Sequence, residues 1–226
     1  MDDYKKYQEL LLGEWVNYLP SNVLEFAITL YNKIDDLRHT YKIYPNQEDI
    51  FKVFKLLPPD KVKVVILSQD PYYNDNATGV AFACKHTLSP SLKQIWSSIK
   101  NDITEKEYEG TASPSLQHLV EQGVFLLNSI LTVQENQPLS HKYLQWEDFT
   151  AAVITELSNK NNNIVFMLWG TYAQKYTKYI DTTKHLILTD THPQFANYQN
   201  KEWNCTHFSK CNTYLKEHKI QHIKWR

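Results

Sequence analysis

Three residues of different chemistry stand just behind short apolar runs. Asp70 follows Val62–Leu67 (VKVVIL) and Ser68-Gln69, Asn128 follows Val124–Leu127 (VFLL), and His192 follows His185–Leu188 (HLIL) and Thr189-Asp190-Thr191. A fourth run, Ile164–Leu168 (IVFML), ends on Trp169-Gly170. A carboxylate, a carboxamide and an imidazole can between them stabilise charge, exchange protons and hydrogen-bond a ligand. Tyr72, Tyr73 and Trp169 put aromatic surface beside them.

The runs must do the positioning. Each is rich in β-branched or aromatic residues and lacks strict alternation, the pattern of strands buried on both faces of a parallel sheet. Ligands bind such sheets beyond the carboxyl ends of the strands. One polar residue there carries little weight, since Asp-Pro-Tyr alone is a turn, Asn128 a strand-end residue and His192 a surface-loop residue. Three at the same end of one sheet define a candidate site.

Helical stripes separate the runs. Ser89-Pro90 is an N-cap with proline in the first turn, followed by Leu92, Ile95, Trp96 and Ile99 on one face. Ser113-Pro114 repeats the signal, with Gly123 as the C-terminal stop. Further stripes cover Trp146 to Leu157, Tyr172 to Ile180 and Phe208 to Leu215, and Val23 to Ile34 marks an N-terminal helix. Strands alternating with helices predict an α/β fold with a central, mainly parallel four-stranded sheet flanked by helices. A single domain is expected over 1–226, with an N-terminal helical region at 1–43 and an α/β core at 44–226.

Composition narrows the function. The chain has 226 residues, 42% of them hydrophobic, enough for one domain with a real core. A net charge of −1 gives no overall basic field, so any grip on nucleic acid must be local. The arginines are Arg38 and Arg226 alone, which rules out bidentate arginine readout of bases as the main device. Cys84, Cys205 and Cys211 form no CxxC pair and fit small buried hydrophobes in a reducing compartment. No Cys/His cluster has ligand spacing, so neither a metal nor another cofactor is expected. MDDYKKYQELLLGEW does not read as a signal peptide, and no stretch has the length and apolarity of a membrane span. With five glycines and no GxSxG elbow or phosphate-cradling loop, an unrelated α/β hydrolase is disfavoured.

The ordered motifs resemble family 1 uracil-DNA glycosylases. Gln69–Tyr73 (QDPYY) resembles the family's water-activating motif, Gly79-Val80-Ala81-Phe82 its base-stacking segment, and Ser89-Pro90-Ser91-Leu92 its proline-rich DNA-contacting segment. Leu126-Leu127-Asn128 with Leu131-Thr132-Val133 resembles the uracil-recognition strand, and Leu168-Trp169-Gly170, His192-Pro193 and His207-Phe208-Ser209-Lys210 follow in family order. The resemblance runs from about Tyr44 onward. It implies hydrolysis of the bond between uracil and deoxyribose, with Asp70 stabilising cationic sugar and positioning water, and a neutral His192 donating to uracil O2. It further implies that the Gln69 backbone donates to O2, Asn128 reads N3–H and O4, Phe82 stacks on the base, and Tyr72 excludes a C5 methyl. The base would enter flipped out of its stack. Ser89, Pro90, Ser91 and Gln194 are candidates to clamp phosphates, with the Gln174-Lys175 region behind them.

Several positions depart from the family. Ser68 stands where glycine is usual and Tyr73 where histidine is usual. The loop His192-Pro193-Gln194-Phe195-Ala196-Asn197 replaces HPSPLS and puts Ala196 at the position of the wedging leucine, so Phe195 becomes the candidate wedge. The altered loop leaves a non-catalytic DNA-binding accessory protein as a rival, which Asp70 and His192 disfavour. A glycosylase for a modified pyrimidine is disfavoured by Tyr72 and Asn128. The expected partners are uracil-containing single- and double-stranded DNA, and a DNA-mimicking protein inhibitor would suit the groove. A monomer is expected, cytoplasmic in a bacterial or viral setting and nuclear in a eukaryotic one.

Overall fold

A computed structural model describes residues 2–103 and 113–225. In chain order it holds α1 (Asp2–Leu12), α2 (Ser21–Arg38), β1 (Ile43–Tyr44), α3 (Lys52–Leu56), β2 (Val64–Ser68) and α4 (Pro90–Asp102). Then come α5 (Gln117–Val120), β3 (Val124–Asn128), β4 (Val133–Gln134), α6 (Trp146–Lys160), β5 (Val165–Trp169), α7 (Gly170–Gln174), β6 (Leu186–Asp190), α8 (Pro193–Tyr198) and α9 (His207–Glu217).

The four apolar runs form one parallel sheet in the order β3-β2-β5-β6. Ser68 pairs with Asn128 and Trp169 with Asp190, so the strands end level and their following residues emerge on one rim. All residues of β3 and β5 are buried, as their non-alternating sequences require, while β6 at the edge is half-exposed. A separate two-stranded ribbon pairs β1 with β4 antiparallel.

The N-terminal helices share the core of the α/β region. Trp15 is fully buried, stacks on Phe125 of β3 at 4.9 Å and donates its indole N–H to Leu57 O at 2.8 Å. Burying such a ring contributes about 1.5–3 kcal/mol.

α4 forms as its sequence demands. Ser89 Oγ accepts from the Leu92 N–H at 3.1 Å, Pro90 opens the helix, and Leu92, Ile95, Trp96 and Ile99 pack inward. Two expectations need correction. The helix expected from Ser113-Pro114 does not begin there: Pro114 and Ser115 make a turn, Leu116 takes a left-handed φ of 53°, and α5 covers only Gln117–Val120. The segment after His192 is the short helix α8 rather than a loop, with His192 as its N-cap and Pro193 in its first turn.

Candidate active site

The rim is built by extending the strand pairing beyond the strands. Ser129 N–H donates to Ser68 O and Ile130 N–H to Gln69 O, both at 2.9 Å, and Ser129 Oγ adds a bond to Gln69 O at 2.8 Å. Gln69 is thereby fixed beside Asn128. The chain then turns outward, and Asp70, Tyr72 and Tyr73 line a cleft of about 560 Å³. Gln69, Phe82, Ser91, Asn128, His192, Gln194 and Phe195 line the same cleft.

Asp70 is half-buried, and its Oδ2 accepts from the Leu139 N–H at 2.8 Å. Burial raises its pKa above the ordinary carboxylate value, offset in part by backbone N–H groups of Leu139 and of Asp70 itself. A carboxylate so placed is poorly compensated by its own protein, and a cation in the cleft would relieve it.

His192 shows the opposite tendency. Burial lowers its pKa, and its Nδ1 accepts from the Gln194 N–H at 3.1 Å. Burial therefore favours the neutral ring, and the Gln194 N–H at Nδ1 favours the proton on Nε2, a donor that carries no charge. Gly170 allows the approach of this residue to the sheet. It holds φ at +84°, and a Cβ there would stand 3.0 Å from His192 Cβ.

Aromatic residues define the walls. The Phe82 ring lies 6.0 Å from His192 and 5.8 Å from Trp169, and Phe82 holds a φ of 63°. A bulky residue there costs on the order of 1–3 kcal/mol and needs surroundings that impose it. Part of that constraint is Tyr72, whose hydroxyl bonds Phe82 O at 3.1 Å and Ser89 Oγ at 2.6 Å. Burial raises the Tyr72 pKa, so the phenol stays protonated and its ring stays locked. Asn128 is 6% exposed, and its carboxamide bonds to none of the described residues. An uncommitted buried carboxamide facing a cleft is a recognition group awaiting a ligand.

The other expected contact residues divide. Ser91, Gln194 and Phe195 line the cleft, and Phe195 is 49% exposed. Ser89 is buried and committed to the α4 cap and Tyr72, while Pro90 is exposed. Ala196 is buried, and Asn197 Oδ1 accepts from Gln94 Nε2 at 2.7 Å, which ties Asn197 to α4. Gln94 also accepts the Trp203 N–H at 2.9 Å and donates to Lys201 O at 3.2 Å, tying the segment after α8 to α4.

Sequence reasoning missed Tyr198, Leu139 and Gln94. Tyr198 lines the cleft mouth, is 76% exposed and receives Gln194 Nε2 at 3.0 Å. Its spacing of three from Phe195 would have flagged it, had α8 been recognised as a helix. Leu139 acts through its backbone and Gln94 across more than a hundred residues of sequence; neither leaves a local signal.

One group among the described residues brings metal-binding atoms together: Asp190, Cys205 and His207 place a ligand atom each within 4.8 Å of one another. The residues do not suit an ion. His207 Nδ1 already accepts from Trp169 Nε1 at 2.9 Å, and burial raises the Cys205 thiol pKa far above the usual value.

Residues 54–216 match the model of the uracil DNA glycosylase superfamily. The chain is 45% identical over 190 residues to a uracil-DNA glycosylase of Mannheimia succiniciproducens, covering 81% of this chain and 83% of that one. It is 41% identical over 218 residues to uracil-DNA glycosylase 2 of Bacteroides fragilis, covering 93% and 96%. Mimivirus uracil-DNA glycosylase superposes with a TM-score of 0.83 at 28% identity, covering 100% of this chain and 91% of that one. A Y322L variant of the mimivirus protein, solved in complex with UGI, gives the same TM-score and identity. A parallel sheet whose rim carries Asp70, Asn128 and His192, and a family match over most of its length, place this chain in the uracil DNA glycosylase superfamily.

Proposed function

We propose that the chain excises uracil from DNA by hydrolysing the N-glycosidic bond, as a DNA repair enzyme that leaves an abasic site. The observation that carries this reading is Asn128: a residue only 6% exposed, lining the same cleft as Asp70 and His192, whose carboxamide makes no hydrogen bond to the described residues. Uracil offers N3–H and O4 side by side, which one carboxamide can match. Cytosine reverses the pattern and would leave both partners unpaired at about 1–3 kcal/mol each.

The base enters extruded from its stack and lies on Phe82. The locked Tyr72 ring occupies the space beside C5, where a thymine methyl would collide. As the bond between C1′ and N1 breaks, its electron pair leaves with the base and positive charge develops on the sugar. Asp70 stabilises that charge and positions water, and His192 Nε2–H donates to O2 of the departing anion, assisted by the backbone at Gln69. Water oxygen bonds to C1′. The proton it releases is balanced by the one that uracil takes up.

Ser91 and Gln194 would hold phosphates at the cleft edge. Phe195 is the candidate to fill the gap left by the extruded base, since Ala196 points inward. The same groove would accept an acidic, DNA-mimicking inhibitor. Matched oligonucleotides carrying one U, T or C, incubated in EDTA with wild type and Asp70→Asn, test the reading. Release from the U strand alone, lost in the variant, is expected; release of T or C, or activity retained in Asp70→Asn, would overturn it.

A further inference from the structure

A polar cluster lies behind the cleft, outside the residues that line it. Trp169, at the end of β5, donates its indole N–H to His207 Nδ1 at 2.9 Å, and both residues are at most 5% exposed. A ring nitrogen of His207, the Cys205 thiol and a carboxylate oxygen of Asp190 lie within 4.8 Å of one another. The proposed chemistry uses none of these groups. Burying an imidazole costs desolvation that an apolar side chain of similar bulk would avoid, so its two nitrogens must be used.

An indole N–H only donates, so His207 Nδ1 is the acceptor and the proton of the neutral ring sits on Nε2. Burial lowers the His207 pKa and favours that neutral form, while the Asp190 carboxylate and the Thr189 backbone act against the shift from the end of β6. One ring thus addresses two strands, and each contact leads to a wall of the cleft. The Trp169 ring stands 5.8 Å from Phe82. Thr189-Asp190-Thr191 runs directly into His192, and Asp190 Oδ1 accepts the Thr191 N–H at 2.6 Å. The cluster is anchored from behind: Cys205 N–H donates to Ser98 Oγ of α4 at 2.7 Å, and Asp102 Oδ2 accepts the Ser209 N–H at 2.8 Å.

We propose that His207 is a positioning residue for excision, holding the Trp169 ring behind Phe82 through Nδ1 and the β6 end that carries His192 through Nε2, with Cys205 as a second support at Asp190. It deepens the uracil-excision reading, on which it rests for the reaction that is assisted. An imidazole suits this place because it accepts on one side and donates on the other; leucine would fill the space and satisfy neither strand. A residue so placed touches no substrate, so its loss alters the placement of reacting groups and leaves affinity for DNA intact.

Nitrogen NMR of the full, histidine-labelled chain reads the placement, with the His192 signals identified by their loss in His192→Leu. Steady-state excision from a uracil-containing single strand reads the consequence. His207→Leu should shift the His192 signals and lower kcat by up to about 10²-fold at a little-altered KM, with affinity for a uracil-free oligonucleotide kept. His207→Gln, which restores an acceptor and a donor, should return the signals and recover most of the rate. Wild-type His192 signals in a folded His207→Leu, or a folded His207→Gln no better than His207→Leu, overturns the proposal. Should His207→Leu not fold, Cys205→Ala, which removes only the thiol beside Asp190, should shift the same signals and lower kcat several-fold; unchanged signals there overturn it equally. If wild type released no uracil while the His192 signals still moved in His207→Leu, the positioning would stand and the excision reading would fall.

Discussion

Leu139 donates its backbone N–H to Asp70 Oδ2 at 2.8 Å from a left-handed conformation with φ of 61°. That bond aims the carboxylate, and burial sets its cost. Because the folded pKa of Asp70 is raised, the folded state binds this proton more tightly than the unfolded chain does. Its contribution to stability is present at low pH and is lost as pH rises through the folded value. Asp70→Asn should therefore raise Tm at neutral pH, with the gain vanishing in acid, while excision falls by about 10²–10³-fold. Calorimetry beside single-turnover assays checks this; a lower Tm at neutral pH would contradict it.

His192 should hold its neutral form to lower pH than a free imidazole does. Its pKa is lowered by burial, and the Gln194 N–H occupies Nδ1. Nitrogen NMR should show an unprotonated Nδ1 and a protonated Nε2 at neutral pH, with a titration midpoint below that of free imidazole. His192→Leu, which keeps bulk but removes the donor, should lose on the order of 10²–10³ in kcat.

Acid should weaken the fold through another histidine. His141 is buried, bonds Thr132 Oγ1 at 2.8 Å and feels the charge of Arg38; burial first and Arg38 second bring its pKa from 6.5 to about 4. A folded pKa below the unfolded one gives stability that is present above 6.5 and lost as pH falls toward about 4. Chemical denaturation across that window should show the loss, and His141→Gln should flatten it.

Tyr72 should set the exclusion of thymine. Tyr72→Ala removes the ring held by Phe82 O and Ser89 Oγ, and should make thymine release measurable while slowing uracil release. Tyr72→Phe keeps the ring and loses hydrogen bonds worth about 1 kcal/mol, so discrimination should survive a several-fold loss in rate. Chromatography of released bases separates the two outcomes.

Phe195 should matter most where a stack must be held open. Phe195→Ala is expected to reduce excision from duplex by roughly 5- to 160-fold, the value of about 1–3 kcal/mol for one stacked base, and from single strands much less. Equal loss on both would end the wedge assignment and turn attention to Tyr198, the more exposed ring at the same mouth.

The sheet was legible because strands buried on both faces must be continuously apolar, and their level ends brought Asp70, Asn128 and His192 to one rim. The residue roles proposed above rest on motif order. Other features left no trace in local pattern. Leu116 adopts a conformation that its side chain disfavours, so Ser113-Pro114 promised a helix that starts later. His192-Pro193-Gln194-Phe195 lacks an apolar period and concealed α8. The Gln94 clamp and the Leu139 N–H arise only once distant segments meet.

Gly170 shows how far a catalytic requirement can reach. It takes no part in the proposed chemistry, yet a single methyl group there would press on the imidazole arm from behind, on a backbone already closed to other residues. A mutational scan scored by uracil release should rank position 170 with the histidine itself. An engineer seeking to reshape this enzyme would have to treat the pair as one unit.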